Sequence, residues 1–248
     1  LDTSVILKWL QIEKNLDVIA FIADIGQKDE LQEAKKNAIK MGASEVIVKD
    51  LKNVFVSEYI YPMFRCNTLY EGTYLLGTAI ARPLIAKAQM EVAKDYKAEF
   101  VSHGATGKGN DQIRFELGYY AFKKNIKVIA PWREWNLNSR AKLISYANKH
   151  GIPLMGKSRK EPPYSMDANL LHISYEGKIL EDPWVQPDQT MYRMTNKPDK
   201  CSAKGEIIEL GFINGDPVTV NKKKLKPAKL IDLLNKLGGR HGIGRKDI

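Results

Sequence analysis

Through the first 150 residues, short apolar segments alternate with longer segments in which apolar residues recur every three or four positions. The short segments predict buried strands and the longer ones predict amphipathic helices. The predicted strands are residues 17–22, 45–48, 98–101 and 127–130. The predicted helices are residues 2–12, 29–41, 54–64 (interrupted by Pro62), 79–96, 112–122 and 139–150. This alternation is typical of an α/β fold, in which helices cover both faces of a parallel sheet.

The pattern changes after residue 150. Residues 156–203 are rich in Pro, Lys, Asp and Asn with weak periodicity, and they predict a loop-dominated connection. Asn214-Gly215, between the apolar segments 207–212 and 217–220, predicts a β-hairpin. Pro227 then begins a predicted helix that ends at Gly238-Gly239. We therefore expect two domains, residues 1–152 and residues 153–248, the second of them only in part.

The charge of the chain is concentrated in its last quarter. The net charge is +10, and from Met191 onward 13 Lys and Arg stand against 6 Asp and Glu, compared with 26 against 23 before it. Aromatic residues that could stack on bases are not interleaved with these cations. We expect a solvated basic face, with attraction of anionic substrates as the alternative, and no nucleic-acid partner. No apolar run approaches the roughly 18 residues of a membrane span, so no membrane partner is expected.

Neither the cysteines nor the histidines predict a metal site or a hydrolase. Cys66 and Cys201 fit no ligand spacing and no disulfide framework, which favours reduced thiols in a cytosolic protein. The four histidines lack ligand spacing, so we expect no protein metal ligands. No nucleophile elbow supports Ser–His–Asp chemistry.

The most informative segment is a glycine-rich loop between the strand ending at residue 101 and the helix beginning near residue 112. Such a loop leaves backbone N–H groups free to bind an anion, although a tight turn without a ligand is the alternative. It is not a Walker loop, because Gly-Lys is followed by glycine rather than Ser or Thr. The loop comprises Ser102, His103, Gly104, Ala105, Thr106, Gly107, Lys108, Gly109, Asn110 and Asp111.

Beside this loop, Asp111 and Arg114 are three residues apart and share a helix face. An anionic and a cationic side chain together suit an amino acid, whose ammonium and carboxylate groups need opposite partners.

Two further segments have a functional and a structural interpretation. Asp2, Thr3 and Ser4 are typical of a helix cap, and they become a candidate functional site only if glycines precede them. In residues 70–83, Tyr74 and the helix amides either hold a neutral polar ligand or form a capped, packed helix start.

Eight motifs, in order, resemble argininosuccinate synthases, members of the N-type ATP pyrophosphatase superfamily. They are LDTSVILKWL (1–10), ADIGQ (23–27), LGTAIARPLIA (76–86), SHGATGKGNDQIRFEL (102–117), APWREW (130–135), YSMDANLLHISYEG (164–177), LEDP (180–183) and GGRHGIGR (238–245). The resemblance runs essentially end to end.

The resemblance implies an adenine nucleotide alpha hydrolase-like nucleotide-binding domain followed by an α+β synthetase domain. It implies a cytoplasmic, homotetrameric ligase of arginine biosynthesis or the urea cycle that joins citrulline to aspartate. ATP, accompanied by Mg²⁺, would form a citrullyl-adenylate, and the aspartate amine would then displace AMP. Alignment and charge stabilisation should dominate this chemistry, since adenylation supplies the leaving group.

Carried over by position, the resemblance assigns three sets of binding residues and one set of catalytic residues. Nucleotide-binding residues are Asp2, Thr3, Ser4, Ala23 and Ser102 to Asn110. Aspartate-binding residues are Thr106, Asn110 and Asp111. Citrulline-binding residues are Tyr74, Thr78, Ala79, Asn110, Arg114, Ser165 and Ser174, and the expected catalytic residues are Asn110, Asp111 and Arg114.

The chain departs from the family pattern at several points. Ala79 stands where some members have serine, so Thr78 is expected to replace a lost hydrogen bond. Lys246 stands where isoleucine is common. The family's first strand and Ser-Gly-Gly would precede Leu1, and a Glu, a Tyr and an oligomerisation helix would follow Ile248, so these 248 residues alone are expected to be nearly inactive. The alternatives are a tRNA-modifying ligase with the same core and a non-catalytic nucleotide-binding relative.

Overall fold

The computed structural model describes residues 2–27, 31–107, 109–153 and 164–247. Up to residue 102 the elements are α1 (Asp2–Glu13), β1 (Ile19–Asp24), α2 (Leu31–Lys40), β2 (Glu45–Asp50), α3 (Lys52–Val54), a π-helical segment (Phe55–Ile60), α4 (Tyr61–Arg65), β3 (Leu69–Tyr70), β4 (Tyr74–Leu75), α5 (Gly77–Asp95) and β5 (Phe100–Ser102). The following elements are α6 (Asn110–Phe122), β6 (Lys127–Ile129), α7 (Pro131–Glu134), α8 (Arg140–Lys149), β7 (Ser165–Ala168), β8 (Ile173–Glu176), three 3₁₀ turns (Lys178–Glu181, Gln189–Met191, Pro198–Lys200), β9 (Leu210–Ile213), β10 (Asp216–Val220), β11 (Lys223–Lys224) and α9 (Pro227–Arg240).

The chain divides into two compact units. The first unit comprises Leu1–Asp24, Lys28–Asp50 and Ala81–Lys160, and the second comprises Ile25–Gln27, Leu51–Ile80 and Glu161–Ile248. None of the described helices is both long and apolar enough to cross a membrane.

Parallel strand pairs form the sheet layer of the first unit, as the sequence predicts. β1 pairs with β2 from Ile19–Glu45 to Asp24–Asp50, and β5 pairs with β6. The segment at 17–22 is expected to be a buried strand, but β1 begins two residues later and is only half-buried throughout. The reason is that β1 has a strand partner on one edge only, among the described residues.

Two apolar clusters hold this unit together. In one, α1 buries Val5 and Trp9 against Trp135 and Leu143. In the other, α5, α6 and β5 bury Met90, Val101 and Tyr119 together. The second cluster therefore joins α5, α6 and β5, the last of which leads into the glycine-rich loop.

Helices α5 and α6 are closely packed against each other. A Cβ atom on Gly118 would lie 2.6 Å from the Cβ of Ala86, so only glycine fits there. Further along both helices, the Tyr119 hydroxyl donates to Gln89 Oε1 at 2.7 Å, and Gln89 Nε2 donates to the Ser102 carbonyl at 3.0 Å. Buried polar groups that are paired in this way fix the helices and the end of β5 in one register.

His103 ties the beginning of the loop to α6. The imidazole is buried, stacks on Phe115 at 5.8 Å and contacts Glu116 Oε1 through Nε2 at 3.1 Å. Arg133 donates to the same carboxylate oxygen at 2.7 Å. Burial lowers the pKa of His103 below its ordinary value, against the opposing effect of Glu116, so the neutral ring donates from Nε2.

In the second unit, β9, β10 and β11 form an antiparallel sheet, which confirms the hairpin predicted around Asn214-Gly215. α9 packs on it and buries Leu230 completely. Asn53 Oδ1 accepts from the Ala228 N–H at 3.2 Å in the first turn of α9, where intrahelical partners are lacking.

The structure refines three expectations. Turns, coil and 3₁₀ segments predominate in the described part of 156–203, as expected, but β7 and β8 form an antiparallel hairpin that short, weakly periodic segments do not reveal; residues 156–163 lie outside the described residues. Pro62 does not end the helical run, which continues from α3 through the π-helical segment into α4; instead the helix type changes at Tyr61, and Pro62 lies in the first turn of α4. Gly238 and Gly239 lie inside α9, which continues to Arg240.

The two adjacent glycines of α9 provide a matched test of this packing. A Cβ on Gly239 would overlap the Met194 carbonyl oxygen, whereas a Cβ on Gly238 would meet only Ile243 at 3.9 Å. We expect Gly239→Ala to lower the free energy of unfolding by about 2 kcal/mol or more. Gly238→Ala should raise it by about 0.5–1 kcal/mol through helix propensity. Urea denaturation measures both, and similar effects at the two sites would contradict the packing.

The buried imidazole predicts a pH dependence of stability. The unfolded chain binds a proton at His103 near pH 6.5, while the folded chain binds it only at lower pH. Stability should therefore fall as the pH drops below about 6.5, and it should stop falling once the pH is below the folded pKa. His103→Gln, which can still donate to Glu116, should flatten the stability profile between about pH 7 and 5. Parallel profiles for the parent and the variant would rule out this contribution.

Candidate functional site

The glycine-rich loop lies against the beginning of α1. A Cβ on Gly104 would lie 3.3 Å from Ile6 Cδ1, so the loop backbone approaches the second turn of that helix closely. The Gly109 N–H donates to the Thr106 carbonyl at 3.4 Å and closes a turn immediately before α6. Two of the segments expected to bind nucleotide are therefore neighbours in the first unit; Lys108 lies outside the described residues.

The side chains at the beginning of α1 are accessible. Asp2 and Thr3 are exposed and Ser4 is half-buried, all three within the first turn of the helix. The free N–H groups of a helix start favour an anion. Ala23 is half-buried near the carboxyl end of β1, the edge at which parallel sheets bind ligands.

Asp111 is held between two arginines. Arg82 of α5 donates through Nε to Asp111 Oδ2 at 2.7 Å, and Arg114 donates through Nη1 to Asp111 Oδ1 at 2.9 Å. The Asp111 and Arg114 pair is the one that the spacing of three residues predicts. The spacing of residues does not predict the participation of Arg82, although Arg82 lies within one of the family-like motifs.

This cluster can bind a zwitterion. One carboxylate between two guanidinium groups leaves a net positive charge, and the N-terminus of α6 adds to it. The Asp111 carboxylate has acceptor capacity beyond the two arginine hydrogen bonds, and the Arg114 side chain is 35% exposed. An ammonium group at Asp111 and a carboxylate at Arg114 would both be matched in charge.

In the second unit, Tyr74, Thr78 and Ala79 lie around the beginning of α5. The ring of Tyr74 meets His172 edge to face at 5.3 Å. A Cβ on Gly77 would overlap the His172 ring, so glycine is required for this contact. Burial lowers the pKa of His172, against the Asp167 carboxylate, which raises it.

Two enclosed polar atoms lie in this region without a hydrogen-bond partner among the described residues. They are Thr78 Oγ1 and His172 Nε2. An enclosed hydroxyl or ring nitrogen without a partner is costly, so each is suited to a ligand or an ordered water. His172 is a residue that sequence reasoning missed, since its spacing to Tyr74 carries no periodic signal.

Ser165 and Ser174 lie on one face of the β7–β8 hairpin. Ser165 pairs with Glu176 and Ser174 pairs with Asp167, so all four residues project to the same side of the ladder. Of the residues that the resemblance assigns to citrulline, Asn110 and Arg114 belong to the first unit. Tyr74, Thr78, Ala79, Ser165 and Ser174 belong to the second.

Within the described residues, no group of three or more His, Cys, Asp or Glu side chains is arranged to hold a metal ion. These residues therefore do not fit a Mg²⁺ site made by protein ligands alone. Mg²⁺ is commonly held by nucleotide phosphates and water with only one or two carboxylates.

Comparison with known proteins covers nearly the whole chain. The "Arginosuccinate synthase N-terminal HUP domain" family matches residues 1–153, and the "Arginosuccinate synthase C-terminal domain" family matches residues 164–248. The argininosuccinate synthase of Magnetococcus marinus is 58% identical over 248 residues, which are 100% of this chain and 61% of the relative. That of Rhodospirillum centenum is 57% identical over 250 residues, covering 100% and 62%.

The argininosuccinate synthase of Campylobacter jejuni is 59% identical over 250 residues, again with 100% of this chain and 61% of the relative covered. The chain thus spans about three fifths of the length of the curated relatives that it matches. The HUP-domain match agrees with the parallel strand pairs and the loop before α6, and confirms the predicted fold class. From the two family matches and these identities, the chain belongs to the argininosuccinate synthase family.

Proposed function

We propose that this chain carries the nucleotide and amino acid sites of an enzyme that joins citrulline to aspartate at the expense of ATP. The observation that carries the proposal is the Arg82–Asp111–Arg114 cluster at the beginning of α6, directly after a glycine-rich loop that lies against α1. A site for an amino acid thus adjoins a site suited to phosphate. The relatives support the proposal because they are argininosuccinate synthases.

In the proposed reaction the citrulline ureido oxygen attacks the α-phosphorus of ATP. The bond from the α-phosphorus to the bridging oxygen breaks, and pyrophosphate leaves. The aspartate amine then attacks the ureido carbon and displaces AMP, giving argininosuccinate and releasing the amine proton. The loop 102–110 and the beginning of α1 would hold the phosphates, with Ala23 near the adenosine. Mg²⁺ would arrive with the nucleotide and offset its charge.

The proposed roles of the side chains come from the family resemblance, and the charges of Asp111 and Arg114 agree with them. Asp111 would accept hydrogen bonds from the ammonium group of aspartate, with Thr106 and Asn110 beside it. Arg114 would bind the carboxylate of citrulline, while Tyr74, Thr78, Ser165 and Ser174 would bind its polar groups. These roles require alignment of two substrates more than proton transfer.

Further features belong to the same proposal. We place the domain boundary at about residue 152, and propose a cytoplasmic homotetramer. A tRNA-modifying ligase with the same core is disfavoured, since residues 164–248 match the C-terminal domain of the argininosuccinate synthase family.

The first test uses the protein at its full natural length. AMP formation should require both citrulline and aspartate, while citrulline alone should support exchange of pyrophosphate into ATP. Asp111→Ala should reduce argininosuccinate formation about 10- to 100-fold, the loss of a charge-assisted hydrogen bond of about 1.5–3 kcal/mol. Citrulline-dependent exchange should fall much less. Equal loss of both activities would argue against a role for Asp111 specific to aspartate.

A second test concerns Thr78, whose enclosed Oγ1 has no partner among the described residues. Thr78→Val keeps the shape and removes the hydroxyl, so the KM for citrulline should rise about 5-fold, as expected for about 1 kcal/mol. Thr78→Ser keeps the hydroxyl and serves as the matched control. If valine and serine give the same KM, the hydroxyl does not bind citrulline.

A further inference from the structure

We propose that Arg82 is a positioning residue that holds the Asp111 carboxylate in the orientation needed to receive the ammonium group of the second amino acid substrate. This inference rests on the proposed function. No feature of the family-like motifs assigns a role to Arg82; the assignment comes from the hydrogen bond between Arg82 Nε and Asp111 Oδ2 at 2.7 Å.

Each of the two arginines donates to a different oxygen of the Asp111 carboxylate. Arg114 contacts Oδ1 from one turn further along the same helix, and Arg82 contacts Oδ2 from a different helix. A single arginine on the same helix would leave the plane of the carboxylate free to rotate. A second donor from α5 fixes that plane, so the unused lone pairs point in a defined direction.

Arg82 is itself well anchored. Its side chain is 20% exposed, compared with 35% for Arg114. Its guanidinium lies 5.7 Å from the ring centre of Phe115, which in turn stacks on His103 of the loop. The more enclosed arginine is therefore fixed by packing, and the more exposed one is better placed to contact a substrate.

The helix packing sets the reach of Arg82. Arg82 precedes Ala86 by one turn on α5, and Asp111 precedes Gly118 by two turns on α6, so both contacts lie on the facing sides of the two helices. Because Gly118 allows Ala86 to approach closely, an arginine on α5 can reach a carboxylate on α6. The positioning role thus depends on the close packing of α5 and α6 at Gly118 and Ala86, which involves no substrate.

The test measures steady-state kinetics of the full-length protein after Arg82→Met. The KM for aspartate should rise about 10- to 100-fold, while citrulline-dependent exchange of pyrophosphate into ATP should change less than about threefold. Arg82→Lys, which keeps the charge and one donor direction, should restore part of the affinity for aspartate. Lys94→Met removes the same charge from an exposed position of α5 and is the matched control, with an unchanged KM for aspartate.

A double-mutant cycle separates positioning from direct contact. If Arg82 acts through Asp111, adding Arg82→Met to Asp111→Asn should change the KM for aspartate by less than about threefold. The same 10- to 100-fold loss in both backgrounds would overturn the proposal, because Arg82 would then act on the substrate or the fold independently of Asp111.

The remaining outcomes are also decisive. Arg82→Gln is measured beside Arg82→Met, with circular dichroism to confirm folding; if neither variant folds, Arg82 supports the fold and the positioning role is overturned. If the parent enzyme forms no AMP with citrulline and aspartate, the proposed function fails and the positioning role fails with it. If the parent is active and only the cycle is additive, the proposed function stands and the positioning role alone is overturned.

Discussion

The candidate site depends on a carboxylate that is held by two guanidinium groups from different helices. Asp111 alone at the first turn of α6 would be an ordinary helix-dipole partner. The hydrogen bonds from Arg82 and Arg114 convert it into a fixed group, within a cluster of net positive charge, that has acceptor capacity remaining. Everything that places α5 beside α6, including the Tyr119–Gln89–Ser102 hydrogen bonds, therefore contributes to the geometry of the site.

The local elements of the first unit could be predicted from the sequence, because apolar periodicity is a property of neighbouring residues. The shared face of Asp111 and Arg114 follows from helical spacing alone. The participation of Arg82 could not be predicted in this way, since it depends on a contact between α5 and α6 over 29 residues of chain. The approach of these helices is set by Gly118 and Ala86, and a glycine inside a helix does not by itself identify its partner.

The second unit shows the same limit. The Asn-Gly turn predicts the β9–β10 hairpin, because the turn chemistry is local and strong. The β7–β8 hairpin has no such turn; its ends are joined through Asn169, whose Oδ1 accepts from the N–H groups of Leu171 and His172. A side chain that replaces a backbone hydrogen bond leaves no periodic trace in the sequence. The contact of His172 with Tyr74 joins two distant parts of the chain, so it too has no periodic signal in the sequence.

The contact between Gly118 and Ala86 has a consequence for the divergence of this family. A Cβ on residue 118 would lie 2.6 Å from the Cβ of Ala86. Position 118 can therefore carry a side chain only if position 86 is glycine. The two positions should therefore not vary independently among homologous proteins. An exchange of alanine and glycine between them would keep the helix spacing, whereas either change alone would alter it. Such paired variation would record the helix contact in an alignment even where the catalytic residues do not change.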